Sequence, residues 1–211
     1  MCITQEPIPA ATYNRIPFLR EQPLVPPDLL RDLGQLFARH QLVHQWGVGV
    51  VHRHSDILPG CVMVHRQAED HTDICEPRSL QSIPSSELIP MSLLLNKEQQ
   101  FQAYEYELGS QRLLPPLEFL HELRDLLVSR RSENIVCLTA MAASGLKLVH
   151  EVLVLNDLGL VRSMRSKPGQ PHKWTGTTTN WVFCDGVEIR AIGVKACRML
   201  ATGLHEVTKD A

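Results

Sequence analysis

Between Trp46 and His54 the chain alternates with a period of two, with Trp46, Val48, Val50, His52 and His54 on one side and Gly47, Gly49, Val51 and Arg53 on the other. Successive side chains of a strand leave on opposite faces, so this pattern predicts a β-strand with one largely apolar face. A sheet is thereby required, and its core face ends in two imidazoles. The segment from Ser55 to Gly60, closing on Pro59-Gly60, is a turn signal; 61–66 reads as a second strand and 72–76 as a third. In a hairpin symmetric about that turn, His52 lies opposite Met63 and His54 opposite Cys61. His65 then joins the same face, diagonal to His52.

Two segments carry a helical period instead. After Pro27-Asp28 the residues Leu29, Leu30, Leu33, Leu36 and Phe37 form one stripe, and after Pro115-Pro116 so do Phe119, Leu120, Leu123, Leu126 and Leu127. Met91–Leu95 and Gln100–Leu108 read as strands, and 76–90 as a connection. In the last third, Asn180–Cys184 and Val187–Ile192 flank Asp185-Gly186, a dipeptide suited to a two-residue type I′ turn. That register sets Val182 against Ile189 and Cys184 against Val187 on the core side, with Trp181 and Phe183 outward as a pocket wall or a homodimer contact. The expected architecture is α+β: a proline-rich extended arm over 1–26, then a single domain over 27–211. In that domain a mainly antiparallel sheet is packed on one side by two or more amphipathic helices.

Composition narrows the function classes. At 211 residues, 44% hydrophobic and 21% charged, the chain can bury a core, and a net charge of −2 gives no electrostatic reason to seek nucleic acid or an anionic membrane. The N-terminal residues lack a basic stretch followed by an apolar one, and the longest apolar run, Leu146 to Val161, is broken by Lys147, His150, Glu151, Asn156 and Asp157. The six cysteines are scattered with no CxxC pair and read as reduced thiols. A cytoplasmic protein with a small-molecule partner is expected.

The chemistry is expected on His52, His54 and His65. Imidazoles titrate near neutral pH, and three on a half-apolar surface suit proton transfer without a cofactor, as in an isomerase, lyase or cyclase. His52 is the expected principal acid/base, His54 its partner and His65 a third member. Arg53, Trp46, Tyr104, Tyr106, Thr179, Asn180 and Trp181 are the expected substrate-binding residues, with the Thr177-Thr178-Thr179-Asn180 run and the two tyrosines as hydrogen-bond donors. The alternative is a divalent transition metal on the same three histidines, completed by Asp56, His150, Glu151, His205 or Glu206. His52-Arg53-His54-Ser55-Asp56 resembles the HxHxD core of metallo-β-lactamase-like hydrolases, with Ile57 where those enzymes carry a histidine. It is also similar to the HxH of cupins, without their following glutamate. Cys75, flanked by Asp73 and Glu76, is not an expected nucleophile, because acidic neighbours raise a thiol pKa. Two further readings stand. Residues 115–183 also fit the order of a winged-helix DNA-binding module, with helices through 138–143 and 148–158 and a basic wing over 162–173. A non-catalytic ligand-binding or interaction protein is the other.

Overall fold

Proline and an apolar stripe set the two long helices among the described residues, whose other extended elements are strands. The computed structural model describes residues 3–4, 6–43, 45–67, 73–109, 113–140, 149–150, 161–162, 177–184, 190–199 and 205–206. In chain order the elements are β1 (Ile3–Thr4), α1 (Ala10–Tyr13), α2 (Pro27–Arg39), β2 (Trp46–Val50), β3 (Cys61–Gln67), β4 (Asp73–Ser79), β5 (Leu88–Leu95) and β6 (Phe101–Leu108). Then follow α3 (Leu117–Ser129), β7 (Val136–Ala140), β8 (Val149–His150), β9 (Val161–Arg162), β10 (Thr177–Cys184), β11 (Arg190–Met199) and β12 (His205–Glu206). Helix α2 starts on Pro27, where a missing N–H costs nothing, and carries Asp28 in its first turn, favourable to the helix dipole.

The strands join in the order β12-β11-β10-β2-β7-β5-β6-β3-β4-β9, with β1 beside β6 and β8 beside β11. Most neighbours are antiparallel, but β3 and β1 both run parallel to β6, and β8 runs parallel to β11. On one face Leu29, Leu33, Leu36 and Phe37 of α2 and Phe119, Leu120, Leu123 and Leu127 of α3 pack on Trp46, Val48, Val50, Val62, Val64, Leu93, Phe101 and Leu138. Phe37 is the hinge of this layer, 5.0 Å from the Phe119 ring and 4.9 Å from that of Phe183. The opposite face is covered by the N-terminal segment, where Ile8, Tyr13 and Ile16 are buried with Val51, Ile57, Met63, Cys75, Tyr104 and Cys137.

Four expectations are corrected. The expected antiparallel sheet packed by helices gives way to a chain that is mostly sheet, and that sheet is mixed, with three parallel pairings. Its α-helices among the described residues have only 4, 13 and 13 residues, and an apolar N-terminal segment covers its second face. Strands β2 and β3 form no hairpin: β2 pairs with β7 and β10, and β3 with β4 and β6. The 180–192 register pairs Cys184 with Arg190 and Val182 with Ile192, which leaves five residues between the strands instead of two. Phe183 faces the core instead of outward and is fully buried. Val136–Ala140 is a strand, so the described part of the 138–143 segment is not the second helix of the winged-helix order; the 162–173 wing lies outside the described residues beyond Arg162. No helix among the described residues is long and apolar enough to cross a membrane.

Candidate functional site

A break in the ladder between β5 and β6 creates the site. Strand β6 pairs with β5 in one register from Phe101 to Ala103 and again from Tyr106 to Leu108, but between them Ser92 pairs with Glu105, and Met91 and Tyr104 have no opposite numbers. The pleat loses one alternation there. Ala103 and Tyr106 face the helices, while Tyr104 packs with the N-terminal segment and Glu105 reaches Cys75 on that same side. Two consecutive side chains, a phenol and a carboxylate, thus leave on one face.

The Glu105 carboxylate is buried, with each of its oxygens facing an imidazole. Its Oε2 accepts from Ser92 Oγ at 2.9 Å and faces His65 Nε2 at 3.3 Å, and its Oε1 faces His54 Nε2 at 3.1 Å. Ser92 Oγ also meets Thr139 Oγ1 at 3.4 Å. Burial is the largest influence on this group and opposes its ionisation, but hydrogen bonds and charge from His54 and His65 outweigh it and hold the carboxyl well below its usual range. Cys75 lies directly across the β3–β4 ladder from His65, which gives their side chains a common face. One ring nitrogen of His54, the Cys75 sulfur and a Glu105 oxygen all lie within 4.8 Å of one another. Tyr104 donates to Cys137 Sγ at 3.3 Å, and burial, then the neighbouring Cys137 and Glu105, push its pKa far up, so it stays a neutral phenol.

The histidines reach this place because β2 ends at Val50 and the next residues leave the ladder. The N-terminal segment then holds them. The Arg53 backbone N–H donates to Pro17 O at 3.1 Å and its guanidinium to the Asn14 and Ile16 carbonyls. That guanidinium sits 4.0 Å above the Phe18 ring. Asn14 clamps the Ile57 backbone from both sides, at 2.8 and 3.0 Å, and the His54 N–H points to the Tyr13 hydroxyl at 3.4 Å. His52 bonds through Nδ1 to Val50 O at 2.8 Å, and its ring stands edge-on to His54, with centroids 4.9 Å apart.

Of the residues expected from sequence, His54 and His65 converge on Glu105 and not through hairpin register, and His52 adjoins them through its ring contact with His54. Tyr104 adjoins them. Arg53 is engaged with the N-terminal segment and with Asp56, at 3.3 Å. Trp46 and Tyr106 face the helices, and Tyr106 donates to Ala103 O at 3.0 Å. Asn180 stands beside Cys137 across Gly49, Thr179 is buried, and Trp181 packs against the helix-side core. Among the extra metal ligands named from sequence, Asp56 is exposed, and the side chains of His150, Glu151, His205 and Glu206 lie outside the described residues.

Glu105 and Ser92 escaped the sequence reading, and Cys75 entered it only to be set aside as a nucleophile. Glu105 alternates with Tyr104 and Tyr106 like a solvated strand residue, and a break in a ladder leaves no mark in composition. Cys75 looks acid-flanked, yet adjacent strand residues face opposite ways, so Glu76 lies on the far side of the sheet. Comparison with protein-family models, curated proteins and solved structures finds no match to this chain.

Proposed function

We propose that this protein is an enzyme that moves protons on a small molecule, with His65, Glu105 and His54 as its acid/base group. One observation carries the reading: a buried carboxylate bridged between two imidazoles at 3.3 and 3.1 Å. Taking a carboxylate out of water is costly, and placing it between two imidazoles, side chains that can both donate and accept a proton, suits a working site more than a structural one. The His65 side chain is 12% exposed and that of His54 1%, so His65 is the member that touches substrate. Its Nε2 is held by Glu105, which leaves Nδ1 to exchange the proton. Glu105 fixes the tautomer and stabilises the imidazolium, and His54 positions the carboxylate from behind. Abstraction and return of a proton beside a carbonyl, leading to isomerisation, elimination or ring closure, is the reaction class that such a group serves.

The test is deuterium exchange by NMR across small enolisable 2-oxo acids and 1,3-dicarbonyl compounds, with folding checked by circular dichroism. His65→Ala is expected to lower exchange by about 10²–10⁴-fold. Glu105→Gln is expected to lower kcat and displace the pH profile. No exchange across the panel, or exchange that survives both substitutions, overturns the reading.

A further inference from the structure

We infer that the same cluster is a metal site in which His54, Cys75 and Glu105 bind one divalent transition ion of the zinc class and leave a fourth position for water or a substrate atom. The inference rests on the proposed role of this cluster and adds a cofactor to it. The metal expected from sequence was placed on His52, His54 and His65; the geometry selects a different set with His54 alone in common.

Donor chemistry, spacing and outer-shell support all favour the set. The first is plain: an imidazole, a thiolate and a carboxylate suit zinc, whereas calcium and magnesium want oxygen ligands alone. The second is spacing. Neighbouring ligand atoms around a tetrahedral zinc stand about 3.3–3.7 Å apart. His54 Nε2 and Glu105 Oε1 are at 3.1 Å, and all three ligand atoms are within 4.8 Å, a distance that side-chain rotation closes. The third is outer-shell support. A ligating carboxylate normally has its second oxygen hydrogen-bonded. Here Oε2 is occupied by Ser92 and His65, which leaves Oε1 turned toward His54 and available to an ion. All three residues are buried, in a water-poor setting beside Met63 and Ile57. On binding, Cys75 coordinates as the thiolate and its proton leaves to solvent. His65, outside the ligand set, keeps its contact with Glu105 and its role in proton exchange.

The experiment uses the full chain, purified without a histidine tag and equilibrated with zinc, then separately with cobalt. About one equivalent of zinc is expected after removal of excess, with one sulfur at about 2.3 Å in X-ray absorption of the native protein. The cobalt form is expected to show a thiolate charge-transfer band that is lost in Cys75→Ser and kept in Cys61→Ser, and His54→Ala is expected to weaken binding at least about 10-fold. Less than about a tenth of an equivalent, or a metal with no sulfur ligand, overturns the inference; the absorption measurement needs no variant to fold. The two claims fail separately. Metal-free protein that still exchanges protons through His65 overturns the metal site alone. Metal bound through Cys75, with no exchange on any panel compound, upholds the site and overturns the proton-transfer reading.

Discussion

Glu76 is as deeply buried as Glu105 but lives in a different electrostatic setting. It faces Arg66 and Arg78, each at 3.0 Å, and both arginines are partly exposed. Burial is the largest influence on its pKa and acts upward, yet the two arginines together bring it below the usual value of 4.5. A depressed carboxyl pKa gives stability that is present above the unfolded value and lost as pH falls through the folded one. Urea unfolding of Glu76→Gln is therefore expected to show about 1–3 kcal/mol lower stability at neutral pH, and a shallower loss than the native protein as pH falls below about 4.5. Equal pH dependence in the two proteins would contradict this. At this scale the sequence discloses which residue types carry chemistry but not their partners. His52, His54 and His65 stand out because imidazoles near an apolar strand are conspicuous. Glu105 does not, because its neighbours in space come from β3, β5 and the segment after β2.

Strand β2 owes its close packing to Gly49. A Cβ there would stand 3.1 Å from Asn180 Nδ2 and 3.1 Å from Cys137 Sγ, and that sulfur already accepts from Tyr104. Gly49→Ala is expected to destabilise the protein by about 1–3 kcal/mol in urea titration, since the Cys137 sulfur cannot retreat without giving up its contact with Tyr104. An unchanged midpoint would mean that β10 yields freely. Elements whose period and flanks agree were legible: α2 and α3 from proline and stripe, β3 and β6 from alternation between turn signals. Pairing was not. The Asp185-Gly186 signal is local, whereas the register is fixed by burial of Phe183 against Phe37, a contact that no short window contains. Val136–Ala140 is buried on both faces, and such a continuous apolar run has no period to separate strand from helix.

Considered whole, the molecule is a sheet between unlike covers, helices on one face and the N-terminal segment on the other, with the histidine-bearing stretch pinned beneath the second. Asn14 is the main pin, and Asn14→Ala is expected to speed amide hydrogen exchange over residues 51–57 by about tenfold or more while leaving β3 and β4 unchanged. Uniform exchange rates in both proteins would show that the pin is dispensable. Prolines in that segment suggest an arm with no packing of its own, because they erase any period; its anchors are single residues, Ile8, Tyr13 and Ile16, spaced too irregularly to announce a buried face. The break in the β5–β6 ladder has a consequence for how such a site changes across generations. Substitution at a neighbouring position alters its chemistry by degrees, but losing one codon between Ala103 and Tyr106 restores plain alternation on β6 only by putting its two halves one residue out of register along β5. The strand would then offer that face either the phenol or the carboxylate and never both, so the centre is encoded as much by chain length as by residue identity.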